Sequence, residues 1–136
     1  MAGEFRSLPL ESGPVDPTRL VNANYAFIQR QLLTSDNQLY PIFSESPSAD
    51  GILMYEVRVI GKSITNLLSV KKTFTVIKTA SQVDLLDISS DYTKKTDASW
   101  NITIEVASSD IIIKVKGSGT ESVNWAAQII KTIHYV

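Results

Sequence analysis

The segment WNITIEVASSDIIIKVKGSGTESVNWAAQIIKTIHYV, Trp100–Val136, alternates apolar with polar residues through three successive runs. Ile102, Ile104 and Val106 share one side of the first run, and Ile111, Ile113 and Val115 one side of the second. Trp125, Ala127, Ile129 and Ile133 share one side of the third. Successive side chains of a strand point to opposite faces, so a two-residue period puts each set on one buried face. Ser108-Ser109-Asp110 and Gly117-Ser118-Gly119 supply turn chemistry between the runs. The expectation is a meander of three strands paired in sequence. Gly117–Gly119 then reads as a hairpin corner, because a phosphate-binding loop needs a helix after it and here a strand follows.

Working upstream, Leu53, Tyr55, Val57 and Val59 alternate with Met54, Glu56 and Arg58, which makes Ile52–Ile60 a half-buried strand. Ile64–Lys78 reads as one long or two short strands carrying Val70, Phe74 and Val76, and Gln82–Ile88 reads as another. Gln38–Phe43 is a brief strand that Pro41 confines to a sheet edge. Ser44–Gly51 and Ser89–Ser99 are polar loops, the second holding Tyr92 among charges as an exposed tip. Residues 35–136 are therefore expected to form a mainly β domain, an antiparallel β-sandwich or jelly roll.

The N-terminal part reads differently. Residues 1–15 carry Gly3, Pro9, Gly13 and Pro14 with no apolar period, giving an extended arm that is either disordered or docks on another surface. Asp16 can cap backbone N–H groups and Pro17 suits a first helical position, so 16–34 is expected to be a short α-helix. Val21, Tyr25, Ile28 and Leu32 fall on one helical stripe, widened by Phe27 and Leu20. That stripe either packs on the chain's own sheet or makes oligomer and partner contacts. At barely two heptads it is too short to hold an oligomer alone.

Composition narrows the function classes. Thirteen basic and 14 acidic residues give a formal net charge of −1, without the clustered Lys and Arg that phosphate contacts require, so no nucleic-acid partner is expected. There is no cysteine and one histidine, His134, which removes disulfides, thiolate metal sites and multi-histidine zinc sites, so neither cofactor nor metal is expected. No apolar run approaches the roughly 20 residues of a membrane helix, and no membrane insertion is expected. Asp84, Asp87, Asp91, Asp97 and Asp110 follow neither a calcium-loop spacing nor a recognisable catalytic pairing, so the expectation is a protein that is not an enzyme. Trp100 and Trp125 each open a strand and read first as core or subunit packing. Tyr92 and Trp100 are the candidates for a ligand-facing loop.

Trp100-Asn101-Ile102-Thr103-Ile104, Ile111–Gly117 and Val123-Asn124-Trp125-Ala126-Ala127 together resemble the closing segment of bacteriophage tail-fibre and other virion appendage proteins. Leu20–Gln31 resembles the short helix that precedes many such modules. The resemblance implies a non-enzymatic structural protein of the virion, assembled in the host cytoplasm as a homo-oligomer, a trimer above all. Its implied partners are other virion proteins and a host cell-surface glycan. Fibre proteins are usually longer, so the chain is expected to be either a fragment or a small stand-alone capsid cement or decoration protein. A small glycan-active enzyme is the third expectation, and it needs paired carboxylates in a cleft.

Overall fold

The computed structural model of the protein describes residues 23–80 and 82–135. Its eight strands are β1 (Ala23–Thr34), β2 (Leu39–Glu45), β3 (Gly51–Lys62), β4 (Leu67–Thr79), β5 (Gln82–Lys95), β6 (Asn101–Ala107), β7 (Asp110–Lys116) and β8 (Val123–Tyr135). They form two antiparallel sheets, ordered β1-β8-β3-β4-β5 and β2-β7-β6. One apolar core draws on both: Leu53, Val57, Val59, Val70, Phe74, Val76 and Ile129 from the larger sheet, and Phe43, Ile102, Ile111, Ile113 and Val115 from the smaller. The alternation that suggested strands is the alternation of burial. Along β3 every second residue, Leu53, Tyr55, Val57 and Val59, is buried, and Ile52, Met54, Arg58 and Ile60 between them are exposed.

The C-terminal meander is only half realised. β6 and β7 form the expected hairpin, with Ile102 opposite Val115, Ile104 opposite Ile113 and Val106 opposite Ile111. Ser108 and Ser109 turn it with φ of 51° and 71°, as a two-residue hairpin loop in the left-handed region requires. β8, however, does not pair with β7. It crosses to the larger sheet and inserts between β1 and β3. Both edges of β7 are already taken, by β6 and β2, so Gly117–Ser122 is a crossover and not a hairpin corner. Gly117 fits closely there: a Cβ would lie 3.0 Å from Val123 Cγ2 and 3.2 Å from Thr34 Oγ1.

Two further expectations are corrected. Within the expected helix 16–34, residues 23–34 form strand β1, paired with β8 from Ala23↔His134 to Thr34↔Val123. Residues 16–22, with Leu20 and Val21, and the arm 1–15 lie outside the described residues. The segment is apolar on both sides, with Tyr25, Phe27 and Leu33 on one and Ile28 and Leu32 on the other, so it satisfies a helical and a strand period together. Pairing with β8 decides between them. Likewise Ser89–Lys95 is not loop but the second half of β5. Two bulges break the alternation of β5, and Asp87 takes a φ of 53°. Pro41 does mark an edge: β2 flanks the smaller sheet and slips register between Pro41 and Phe43.

Candidate interaction surface

Strand directions gather four loops at one end of the molecule: 35–38, 63–66, 96–100 and 117–122. The last three are braced to one another by side chains. Glu121 accepts hydrogen bonds from Ser63 Oγ at 2.5 Å, Thr65 Oγ1 at 2.7 Å and Asn66 Nδ2 at 2.8 Å. The Ser63 hydroxyl in turn accepts from the Asn66 N–H at 2.9 Å, fixing the β3–β4 turn. Thr96 Oγ1 accepts the Leu67 N–H at 3.0 Å and lies 2.9 Å from Asn66 Oδ1, tying in the third loop. Above this brace Ile64 stands fully exposed. A shallow recess beside it is lined by Lys62, Ser63, Ile64, Thr120, Glu121, Ser122 and Asn124.

Hydrogen bonds from Ser63, Thr65 and Asn66 hold the Glu121 carboxyl below its ordinary range. Asp97 is lowered by the Ser99 hydroxyl and N–H, and Asp36 by the Tyr40 hydroxyl and the Gln38 N–H. All three are anionic acceptors that shape loops. A general acid working near neutrality needs the opposite shift. Among the described residues no group of three or more His, Asp or Glu side chains is gathered to hold a metal.

Beneath the loops, Trp100 and Trp125 pack at 54° with ring centroids 5.6 Å apart. Trp125 Nε1 donates to Thr34 Oγ1 at 2.9 Å. Toward the opposite end, Glu45 of β2 bridges the two sheets. It accepts from the Tyr55 hydroxyl at 2.6 Å and pairs with Lys131 of β8. Burial, followed by the neighbouring carboxylate, pushes the Tyr55 hydroxyl up. The Tyr55 ring stacks on Phe74 at 4.7 Å.

The outward face of the larger sheet is the second surface. Its registers align Tyr25, Thr132, Met54, Thr75 and Leu86 in one row and Phe27, Ile130, Glu56, Thr73 and Ser89 in the next. A polar row of Gln29, Gln128, Arg58, Lys71 and Tyr92 separates these from Gln31, Ala126, Ile60, Ser69 and Lys94. Tyr25, Phe27, Met54 and Ile60 are all at least half exposed here, where an outward sheet face is ordinarily polar.

The residues singled out from sequence are thus dispersed. Tyr25 and Phe27 lie on the outward face of β1, while Ile28 and Leu32 turn inward and pack on the core. Tyr92 is exposed on β5 and not at a loop tip. Trp100 is completely buried, so it supports the loop end from below and cannot face a ligand. The Glu121 brace had one sequence signal: Ser63, Thr65 and Asn66 are turn-forming side chains between two strands. Nothing local tied them to Glu121, 58 positions beyond Ser63.

No protein-family model matches the chain, and no curated protein matches it. Two solved structures resemble it. The tailspike protein of Acinetobacter baumannii phage AM24 superposes with a TM-score of 0.52 at 12% identity, over 90% of this chain and 28% of that one. The tailspike protein of Acinetobacter phage vB_ApiP_P1 gives a TM-score of 0.40 at 14% identity, over 98% of this chain and 25% of that one. The chain therefore spans about a quarter of the length of either tailspike. At these identities the likeness is one of fold: the chain carries the two-sheet β architecture found in a part of the AM24 tailspike.

Proposed function

We propose that the chain is a non-enzymatic module of a bacteriophage tail appendage, and that its braced loop end contacts the host surface. The observation that carries this reading is the fold shared with part of the AM24 tailspike over 90% of the chain. The sequence resemblance of Trp100–Ile104, Ile111–Gly117 and Val123–Ala127 to virion appendage proteins points the same way from independent grounds. The loop end suits recognition because three of its loops are tied together before contact, which removes part of the entropy cost of binding. It offers Lys62 and Asn124 as hydrogen-bonding groups around the apolar Ile64, a mixture fitted to a glycan or a surface protein. Glu121 itself serves the brace, its carboxylate being taken up by three donors.

The test uses fluorescently labelled protein and host cells in flow cytometry. The wild-type chain should bind and compete with phage adsorption, and Ile64→Asp together with Asn124→Ala should lower binding at least tenfold without changing the melting temperature. Equal binding by wild type and the double variant would remove the loop end from the account. Release of reducing sugar from host polysaccharide would overturn the non-enzymatic reading.

A further inference from the structure

Next to the loop end, the outward face of the larger sheet closes with two registered rows, Leu33-Asn124-Lys62-Leu67 and Gln31-Ala126-Ile60-Ser69-Lys94. Two shallow recesses flank Ile60 there. One is bounded by Gln31, Leu33, Lys62 and Asn124, the other by Leu67, Ser69, Lys94 and Thr96. Lys62 and Asn124 also line the recess beside Ile64, so the loop end and this part of the sheet form one continuous surface. No acidic side chain lines either recess beside Ile60. Among the described residues Lys62 and Lys94 form no ion pair, whereas Arg58 and Lys71, the cations of the next row, are matched by Glu56 and Asp91. Two acids of the adjoining loops are already engaged. Glu121 is taken up by the brace, and Asp97 accepts from the Ser99 hydroxyl at 2.6 Å and the Ser99 N–H at 2.9 Å.

We propose that these two rows bind an anionic polysaccharide, an inference that rests on the host-contact reading and names its ligand class. Lys62 and Lys94 each take a carboxylate or phosphate group of the same polymer chain. They stand two strand spacings of about 4.8 Å and two residues of about 3.4 Å apart, roughly 12 Å at Cα, so the match is to two charges along a polymer. Gln31, Asn124, Ser69 and Thr96 supply donors and acceptors for hydroxyl groups, and Ile60 and Leu67 offer apolar contact to the C–H faces of sugar rings. Polar side chains interrupt the apolar ones in both rows, so no unbroken apolar strip is presented to acyl chains. The whole chain carries a net charge of −1 and does not attract an anionic polymer over its surface at large, which confines the attraction to this cationic end of the sheet face.

Biolayer interferometry tests this with polysaccharide extracted from the host surface in three forms: native, carboxyl-reduced with carbodiimide and borohydride, and dephosphorylated with hydrofluoric acid. The native form should bind, and one of the treated forms should bind at least tenfold more weakly, which identifies the source of the anions. Lys62→Gln combined with Lys94→Gln, both at exposed positions, should weaken binding of the native form at least tenfold with unchanged far-UV dichroism. The same pair should flatten the loss of affinity between low and high salt, since screening acts on the charges removed. Lys114→Gln on the smaller sheet removes a charge elsewhere and should leave binding within about twofold, as expected of an exposed charge far from the contact. Equal affinity for all three forms, or an unchanged affinity in the double variant, overturns the ionic match and leaves host contact standing. Tighter binding to phosphatidylglycerol vesicles than to the native polysaccharide overturns it in favour of a lipid surface. A wild-type chain that binds neither host cells nor any form of the polysaccharide removes both this inference and the host-contact reading.

Discussion

Gly61→Ala should destabilise the protein sharply, although a glycine inside a strand is ordinarily a liability. Replacing such a glycine by alanine in open space gains about 0.5–1 kcal/mol from reduced chain entropy. Here the added Cβ would sit 2.5 Å from Trp125 Cζ3, 2.7 Å from Cε3 and 3.0 Å from Cη2. The indole cannot swing aside cheaply, because its Nε1 is bonded to Thr34 Oγ1 at 2.9 Å and its face is closed by Trp100. Overpacking of this kind costs about 1–3 kcal/mol. With the ring held on two sides, a net loss of about 2–3 kcal/mol is expected, or about 8–12 °C in Tm for a domain of this size. Urea unfolding followed by tryptophan fluorescence measures it. Gly61→Ala made in a Trp125→Leu background should cost less than about 1 kcal/mol, because the obstacle is gone. A loss under about 0.5 kcal/mol in the single variant, or full additivity in the double, would show that Gly61 is not there for the indole.

Other outcomes follow from the same structure. Ser109→Gly should stabilise by about 0.5–1 kcal/mol in thermal unfolding, because Ser109 sits at a φ of 71° where a Cβ is strained. Lys131→Met should cost about 3 kcal/mol in urea unfolding by leaving the Glu45 carboxylate unpaired between the sheets, and adding Glu45→Gln should restore most of it. Glu121 has a folded pKa below its ordinary value of 4.5, so the unfolded chain binds more protons. Its contribution is present above that value and lost as pH falls through the folded one. Hydrogen-exchange protection of the Thr65 and Asn66 amides should therefore drop in acid, and Glu121→Ala should show the same loss at neutral pH.

What the sequence reveals here is what two-residue alternation encodes. β3 and the first part of β8 bury one face and expose the other, and β7 alternates buried with half-buried residues, so their side chains announce both the strand and its inward set. Pro41 announces an edge because a proline cannot donate to a ladder on both sides. Legibility fails where a segment satisfies two periods or none. In β1, residues Tyr25, Phe27, Ile28, Leu32 and Leu33 serve a helix stripe and a two-faced strand alike, and only the partner strand β8 separates the two. In β5, bulges and edge charges erase the alternation, so Ser89–Lys95 looks like a loop. The crossing of β8 to the other sheet is not local information, since the turn chemistry of Gly117–Gly119 serves a hairpin and a crossover equally. The Glu121 brace is hidden for the same reason: its donors come from a turn distant in sequence. Trp100 illustrates a further ambiguity, because an aromatic after a polar loop has the same local context whether it points at a ligand or into the core.

Immunogold electron microscopy of phage particles that encode the chain, with antibody raised against the purified protein, tests the appendage assignment most directly. The account predicts label confined to the tail, at structures that touch the cell during adsorption. Label distributed over the capsid, or its absence from intact particles, would contradict it.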